Sequence, residues 1–264
     1  MRRYLRIAKN TWDETFTYRF SFLTYRIRNI LQILTIYYLW TFFIPQNTTF
    51  LGYSQSQMLT YVLGTMIVSS VVMATRSQAI GNDINQGNLS SFLLKPMNYF
   101  GYWFARDLGD KTVNFFFSIT ELVLLFILLH PPFFLQTDPF FLIMAILSIC
   151  FGTLLYFYFS VLMGCFGFWS NEVWGPRFVF YQIIMFFSGS LFPLDILPKT
   201  LYSVLELLPF NYLIYFPLKI YLGDLSAIAI VKGLIITTVW IGIVHYLTTI
   251  VWQKGLKVYT AYGR

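Results

Sequence analysis

The stretch NDINQGNLSSFLLKPMNYFGYWFARDLGDK, Asn82 to Lys111, decides the fold. It is rich in Asn, Asp, Gly and Ser, yet it sits in a chain of which 57% is hydrophobic. Unsatisfied polar groups are too costly to leave in hydrocarbon, so this segment must be a structured loop outside the bilayer. The apolar runs on either side of it are then the membrane part.

Composition agrees. Charged residues make up 11% and aromatics 21% of the 264 residues, against roughly 25% charged in an ordinary soluble domain. The reading is an all-α polytopic membrane protein, one transmembrane unit over residues 1–264. Cys150 and Cys165 fall fifteen positions apart on what reads as one helix. At a helical rise they are about 22 Å apart and cannot bridge, and neither a disulfide framework nor a zinc site is implied. No short apolar core precedes Arg28, so the N-terminus is expected to stay on the chain and in the cytosol.

Runs of ~20 apolar residues give six expected spans. They are about 29–45, 57–75, 112–129, 140–163, 177–194 and 226–252. With the N-terminus inside, fifteen of the eighteen Lys and Arg fall on the cytosolic face, and only Lys199, Lys219 and Lys232 lie on or near the other. That bias sets the orientation, with both termini cytosolic. It also accounts for the net charge of +7 without nucleic acid, for which no recognition module is visible.

Ahead of span one, Leu5, Ala8, Trp12 and Phe16 recur at helical spacing, with Arg6, Lys9, Asp13 and Glu14 opposite. Residues 1–28 therefore read as an amphipathic helix lying in the cytosolic lipid interface. The polar loop spans 76–111. Between spans five and six, Pro198, Pro209 and Pro217 cut 195–225 into pieces too short to cross, which suits a re-entrant segment on the outer side.

Catalytic equipment is missing. No phosphate loop occurs, since Gly109-Asp110-Lys111-Thr112 lacks the glycine that would open one, and there is no H-E-x-x-H pair. His130 and His245 lie near ends of different spans, where a lone histidine reads as hydrogen-bonded structure. Inside span three, Asn114, Ser118 and Glu121 stand at i, i+4 and i+7 and form one polar stripe. Glu121, with no cationic partner visible in the sequence, has two readings. It recognises a cation or carries a proton, or it is hydrogen-bonded glue to a neighbouring helix. Tyr37 and Tyr38, with Trp40, Phe42 and Phe43, form either an interfacial aromatic belt or the wall of a site for a flat or cationic ligand. Ser160, Gly164 and Gly167, and Thr65, Ser69, Ser70 and Ala74, are small residues suited to close helix approach.

Three segments together resemble the permease subunits of type-2 ABC exporters, and more narrowly the six-span bacterial branch known as viologen-exporter-type permeases. They are INQGNLSSFLLKPMNYFGYWFARDLGDK, FFSGSLFPLDILPKTLYSVLELLPFNYLIYFPLKIYLGD and the tail WQKGLKVYTAYGR. The resemblance implies two permeases, identical or related, on two separate ATPase subunits that bind ATP and magnesium, so that this chain binds no cofactor of its own. It implies a bacterial inner-membrane location and an alternating-access cavity between spans one, two and five. It also implies a coupling helix over about Asp83 to Leu94 that rests on the ATPase and ends at Pro96. In that helix Leu89, Phe92, Leu93 and Leu94 would supply contact area, while Asp83, Asn85, Gln86 and Lys95 orient the dock around Gly87. The expected work is ATP-driven export of a hydrophobic or amphipathic compound, a cation if Glu121 is the recognising group. The rival class is an ion-coupled secondary transporter using Glu121.

Overall fold

Caps and breaks in the sequence set where each helix begins and ends. The computed structural model describes residues 2–17, 19–45 and 48–260. The last four residues of the tail quoted above, Ala261 to Arg264, lie outside the described residues. Helix α1 covers Arg2–Thr17 and α2 Arg19–Phe43. A two-stranded hairpin, β1 Thr49–Phe50 and β2 Tyr53–Ser54, leads into α3, Gln55–Val72. A capping box starts α3: the Ser54 hydroxyl accepts from the Gln57 amide, while the Gln57 side chain accepts from the Ser54 amide. After a 3₁₀ turn at Ser77–Ala79 come two short helices, α4 Ile80–Asn85 and α5 Leu89–Leu93. Helix α6, Tyr99–Leu129, is capped by the Asn98 side chain. Helix α7, Pro139–Gly164, has Asp138 as cap and proline at its first position, where a missing N–H is harmless. Then follow α8 Trp174–Phe187, α9 Lys199–Leu207, α10 Tyr215–Tyr221 and α11 Ala227–Val258.

Three of these are long and apolar enough to cross a membrane: α6, α7 with its 3₁₀ extension to Phe168, and α11. The pair formed by α3 and Ser77–Asn85, bent by 54°, raises the number to four. The first and fifth expected spans depart from expectation for physical reasons. Helix α2 begins about ten residues before the apolar run and carries Arg26 and Arg28 within it. Helix α8 is 14 residues, about 21 Å, because the chain turns out of it at Gly189 with φ +80°. A Cβ there would lie 2.6 Å from the Tyr61 hydroxyl oxygen and 2.8 Å from Tyr215, so only glycine fits.

The residues expected as an interfacial helix, 1–28, fall on α1 and the start of α2. Helix α1 also has a face turned to protein. It packs on the first half of α6, with Thr11 and Thr15 buried and the Ala8 backbone against Gly109, where an added Cβ would come within 2.5 Å. Leu5 and Phe16 point outward, and Trp12 meets the edge of Phe116. Cys150 and Cys165 are both free, and Cys165 starts the 3₁₀ extension rather than continuing α7.

The broken segment after α8 folds back into the bundle. Tyr212 through Ile220 are all buried, and Gly64 admits Leu218 against α3. Lys219 is buried there. Its ammonium reaches Asp224 at 2.6 Å, Asp195 at 3.0 Å and the Tyr53 hydroxyl at 3.0 Å, and Tyr53 in turn donates to Asp195. This network ties the hairpin, the turn at Leu194–Ile196 and α10 together at the end of the bundle away from the polar loop.

Candidate functional site

Two features stand out: the loop joining α3 to α6, and a cavity above it. The loop is not one helix over 83–94 but α4 and α5 separated by Gly87, whose φ of +75° breaks the run. It is seated firmly. Gly164 and Gly167 of the α7 end leave room for Ile80 and for the Gly81 carbonyl, which would lie 2.7 Å from a Cβ on Gly167. The small residues of span four thus receive the loop rather than another span. Tyr259 clasps it from the tail, donating to the Gly87 carbonyl at 2.8 Å and accepting from the Ser90 amide at 3.0 Å. Trp252 stacks on Tyr99 at 5.0 Å, so the first and third segments of the resemblance are in contact.

Within the loop the expected contact residues divide. Leu89 is fully buried with Ile80, Ile84 and Trp103, which removes it from any external contact area. Phe92 is half-buried against Tyr99 and Tyr102, with the Lys95 ammonium 4.4 Å from its ring. Leu93 and Leu94 are exposed, Leu94 at 88%. Asn85 donates to the Asn171 carbonyl, and Gln86 accepts from Asn88. Burial pushes the Asp83 carboxyl above its ordinary value, while Arg106 and Asn88 pull the other way. Pro96 is exposed beyond the end of α5.

Where α3 ends and the loop begins, the first half of α6 supplies both caps. The Asp107 carboxylate accepts from the amides of Arg76 (2.6 Å) and Ser77 (2.9 Å) and from the Thr75 hydroxyl (2.7 Å), which suits an anion at a helix start. Asp110 pairs with Arg76 at 2.7 Å, and Arg76 also reaches Thr15 of α1 at 2.9 Å. The 54° bend is therefore held by named charges.

Further along the same face of α6 lie Asn114, Ser118 and Glu121. The sequence reading left Glu121 without a partner, and the structure supplies one. Arg26 of α2 donates from Nε and Nη2 to the two Glu121 oxygens, both at 2.5 Å, and from Nη1 to Asn114 at 3.2 Å. All three residues are buried. Ser118 shares a hydrogen bond with Ser70 of α3 at 2.9 Å. Arg26 was hidden among seven N-terminal basic residues that read as a topology anchor. The signal that could have found it is the α6 stripe itself: Asp107, Lys111, Asn114, Ser118 and Glu121 alternate by four and three, which is one continuous polar face demanding partners.

The cavity holds about 460 Å³, within the ordinary range for a ligand site. Its walls come from α2, α3, α7 and α8, with Ser118 and the Arg26–Glu121 pair on the α6 side. A model of the ABC-2 family transporter proteins matches residues 30–263. The chain belongs to that family. No curated protein sequence matches it significantly. As an ABC-2 permease it is a membrane transport subunit of an ABC transporter, in keeping with several long apolar helices.

The remaining expected residues of this permease fall elsewhere. Tyr37 is buried in the main core and Tyr38 is exposed, and neither lines the cavity. The aromatic surfaces that do line it are Tyr25, Tyr156, Phe159, Trp174, Phe178, Phe180 and Tyr181. His245 packs on Tyr158, 4.8 Å between ring centroids, and His130 ends α6 in a left-handed conformation.

Proposed function

We propose that this ABC-2 permease is the transmembrane half of an ATP-driven exporter in a bacterial inner membrane, paired with a second permease and seated on two separate ATPase subunits. Six crossings, with α2 and α8 completing the set and both termini cytosolic, make this topology. The loop from Ser77 to Leu94 is the ATPase dock, and the cavity bounded by α2, α3 and α8 is the substrate chamber that alternates between the two sides. The observation that carries the reading is the mechanical continuity between them: α6 holds the loop with Asp107, Asp110 and Lys111 and lines the cavity with Ser118 and Glu121. Against the rival ion-coupled carrier using Glu121 stands the bidentate pairing of that carboxylate with Arg26, which gives it a structural partner.

The test is co-expression with its cognate ATPase. The complex should copurify, the permease alone should show no ATP hydrolysis, and proteoliposomes should transport only with ATP. Transport by the permease alone that survives ATP depletion and collapses with a protonophore would replace this reading with the carrier.

A further inference from the structure

The cavity carries four charged side chains: Arg26, Arg28, Arg177 and Glu121. Arg26 and Glu121 neutralise each other in a pair that also takes up Asn114. The other two make no ion pair among the described residues. The exposed Arg28 lies over the Tyr25 ring at 4.9 Å, and Arg177 donates to the carbonyl and side-chain oxygens of Gln78 at 2.5 and 2.6 Å. Asn29 and Gln32, in the middle of α2, add amide groups to the lining. The rest of the wall sets apolar side chains, among them Phe159, Phe180, Ile184 and Met185, beside the hydroxyl residues Thr65, Ser69, Ser70, Ser118, Ser160 and Ser190.

A chamber with two guanidinium groups that carry no ion pair among the described residues, and with aromatic rings and hydroxyls along its wall, has a definite complement. Guanidinium forks match carboxylate, sulfonate and phosphate oxygens, and Arg is the least hydrated cation available for that purpose. A cationic ligand would meet like charge at the rim, and Glu121, the only carboxylate lining the cavity among the described residues, is already paired with Arg26. We propose that the chamber binds amphipathic anions: an acidic head held between Arg28 and Arg177, and a flat or apolar body against α7 and α8. This rests on the cavity being the substrate chamber, and it reverses the charge expected from Glu121 read alone. The anion has two sources, a free aromatic acid or an anionic phospholipid.

The experiment uses purified full-length permease in neutral detergent, so that binding is read apart from ATPase coupling. Two probes share one ring body: 1-anilinonaphthalene-8-sulfonate and the uncharged N-phenyl-1-naphthylamine, with ethidium as a cation. Wild type should prefer the sulfonate to the neutral analogue, and Arg28→Gln with Arg177→Gln should weaken sulfonate binding about tenfold while leaving the neutral probe unchanged. Arg28→Gln alone, at an exposed side chain, should give a smaller loss in the same direction and keeps the test decisive if the double variant does not fold. Competition by short-chain phosphatidylglycerol but not phosphatidylcholine would identify the lipid source, and its absence the free acid. Equal sulfonate affinity in the variants, or tighter ethidium binding in wild type, overturns the proposal even when the ATPase complex forms. A permease that binds the sulfonate through Arg28 and Arg177 but never associates with an ATPase would instead overturn the exporter reading and leave the charge preference standing.

Discussion

The Lys111 ammonium lies 2.9 Å from the carbonyl oxygen of Val72, the last residue of α3, and also bonds the Ala74 carbonyl two residues on. A cation at the end of a helix satisfies carbonyls that the helix itself leaves open, and favours the end of the helix dipole. Replacing Lys111 by Met keeps the apolar stem and removes the donor. The expected loss is about 2 kcal/mol, read as a lowered unfolding midpoint of the purified permease. A midpoint equal to wild type would show that water replaces the ammonium.

The Arg26–Glu121 pair makes a sharper prediction. Glu121→Gln leaves the Arg26 guanidinium buried without its counter-charge, and breaking such a pair costs about 3–5 kcal/mol. The substitution should therefore destabilise the protein, whatever is transported. Arg26→Met together with Glu121→Met removes both charges and should recover most of that loss. A double-mutant cycle in thermal stability checks it, and additive effects would mean that the two side chains do not interact.

At the loop, Leu89 and Leu94 should behave as opposites. Leu89→Asp places a charge in a closed core and should lower the unfolding midpoint of the permease on its own. Leu93→Asp with Leu94→Asp alters only exposed surface, so the midpoint should hold while copurification of the ATPase falls. If the ATPase still copurifies with the second variant at wild-type yield, the exposed end of α5 is not the dock.

Gly189→Ala should be destabilising out of proportion to one methyl group. Its φ of +80° is disfavoured for any residue with a Cβ, and that Cβ would displace the Tyr61 hydroxyl from its 2.5 Å bond to the Gly189 carbonyl. Roughly 1–3 kcal/mol is expected. The same substitution in the Tyr61→Phe background should cost less, because the ring is freer to move, and an equal cost in both backgrounds would place the strain in the backbone alone.

The spans at 140–163 and 226–252 were legible because long apolar runs with at most one charge, Lys232 in the second, have one solution in lipid, and α7 and α11 follow them within a few residues. The α3–α6 loop was legible as a loop because its polar groups exclude it from hydrocarbon. Its division at Gly87 was not, since glycine in a helical pattern marks a break only when the tertiary structure demands a positive φ. Leu89 and Leu94 look alike in sequence, and only the packing of Ile84 and Trp103 separates buried from exposed. Arg26 escaped notice because a cation near a membrane boundary already has a reason to be there. Its partner is 95 positions away, a separation at which no periodicity gives warning.

Helix α6 runs 31 residues, about 46 Å, without proline. Gly109, far from being a hinge, is pressed against the α1 backbone. Near one end it grips the bend after α3, and ten residues beyond Lys111 it holds the Arg26 guanidinium. Under the exporter reading proposed above, torque applied where the loop is gripped would reach Glu121 through one unbroken helix, and α2 would follow through a two-pronged clamp rather than a flexible tether.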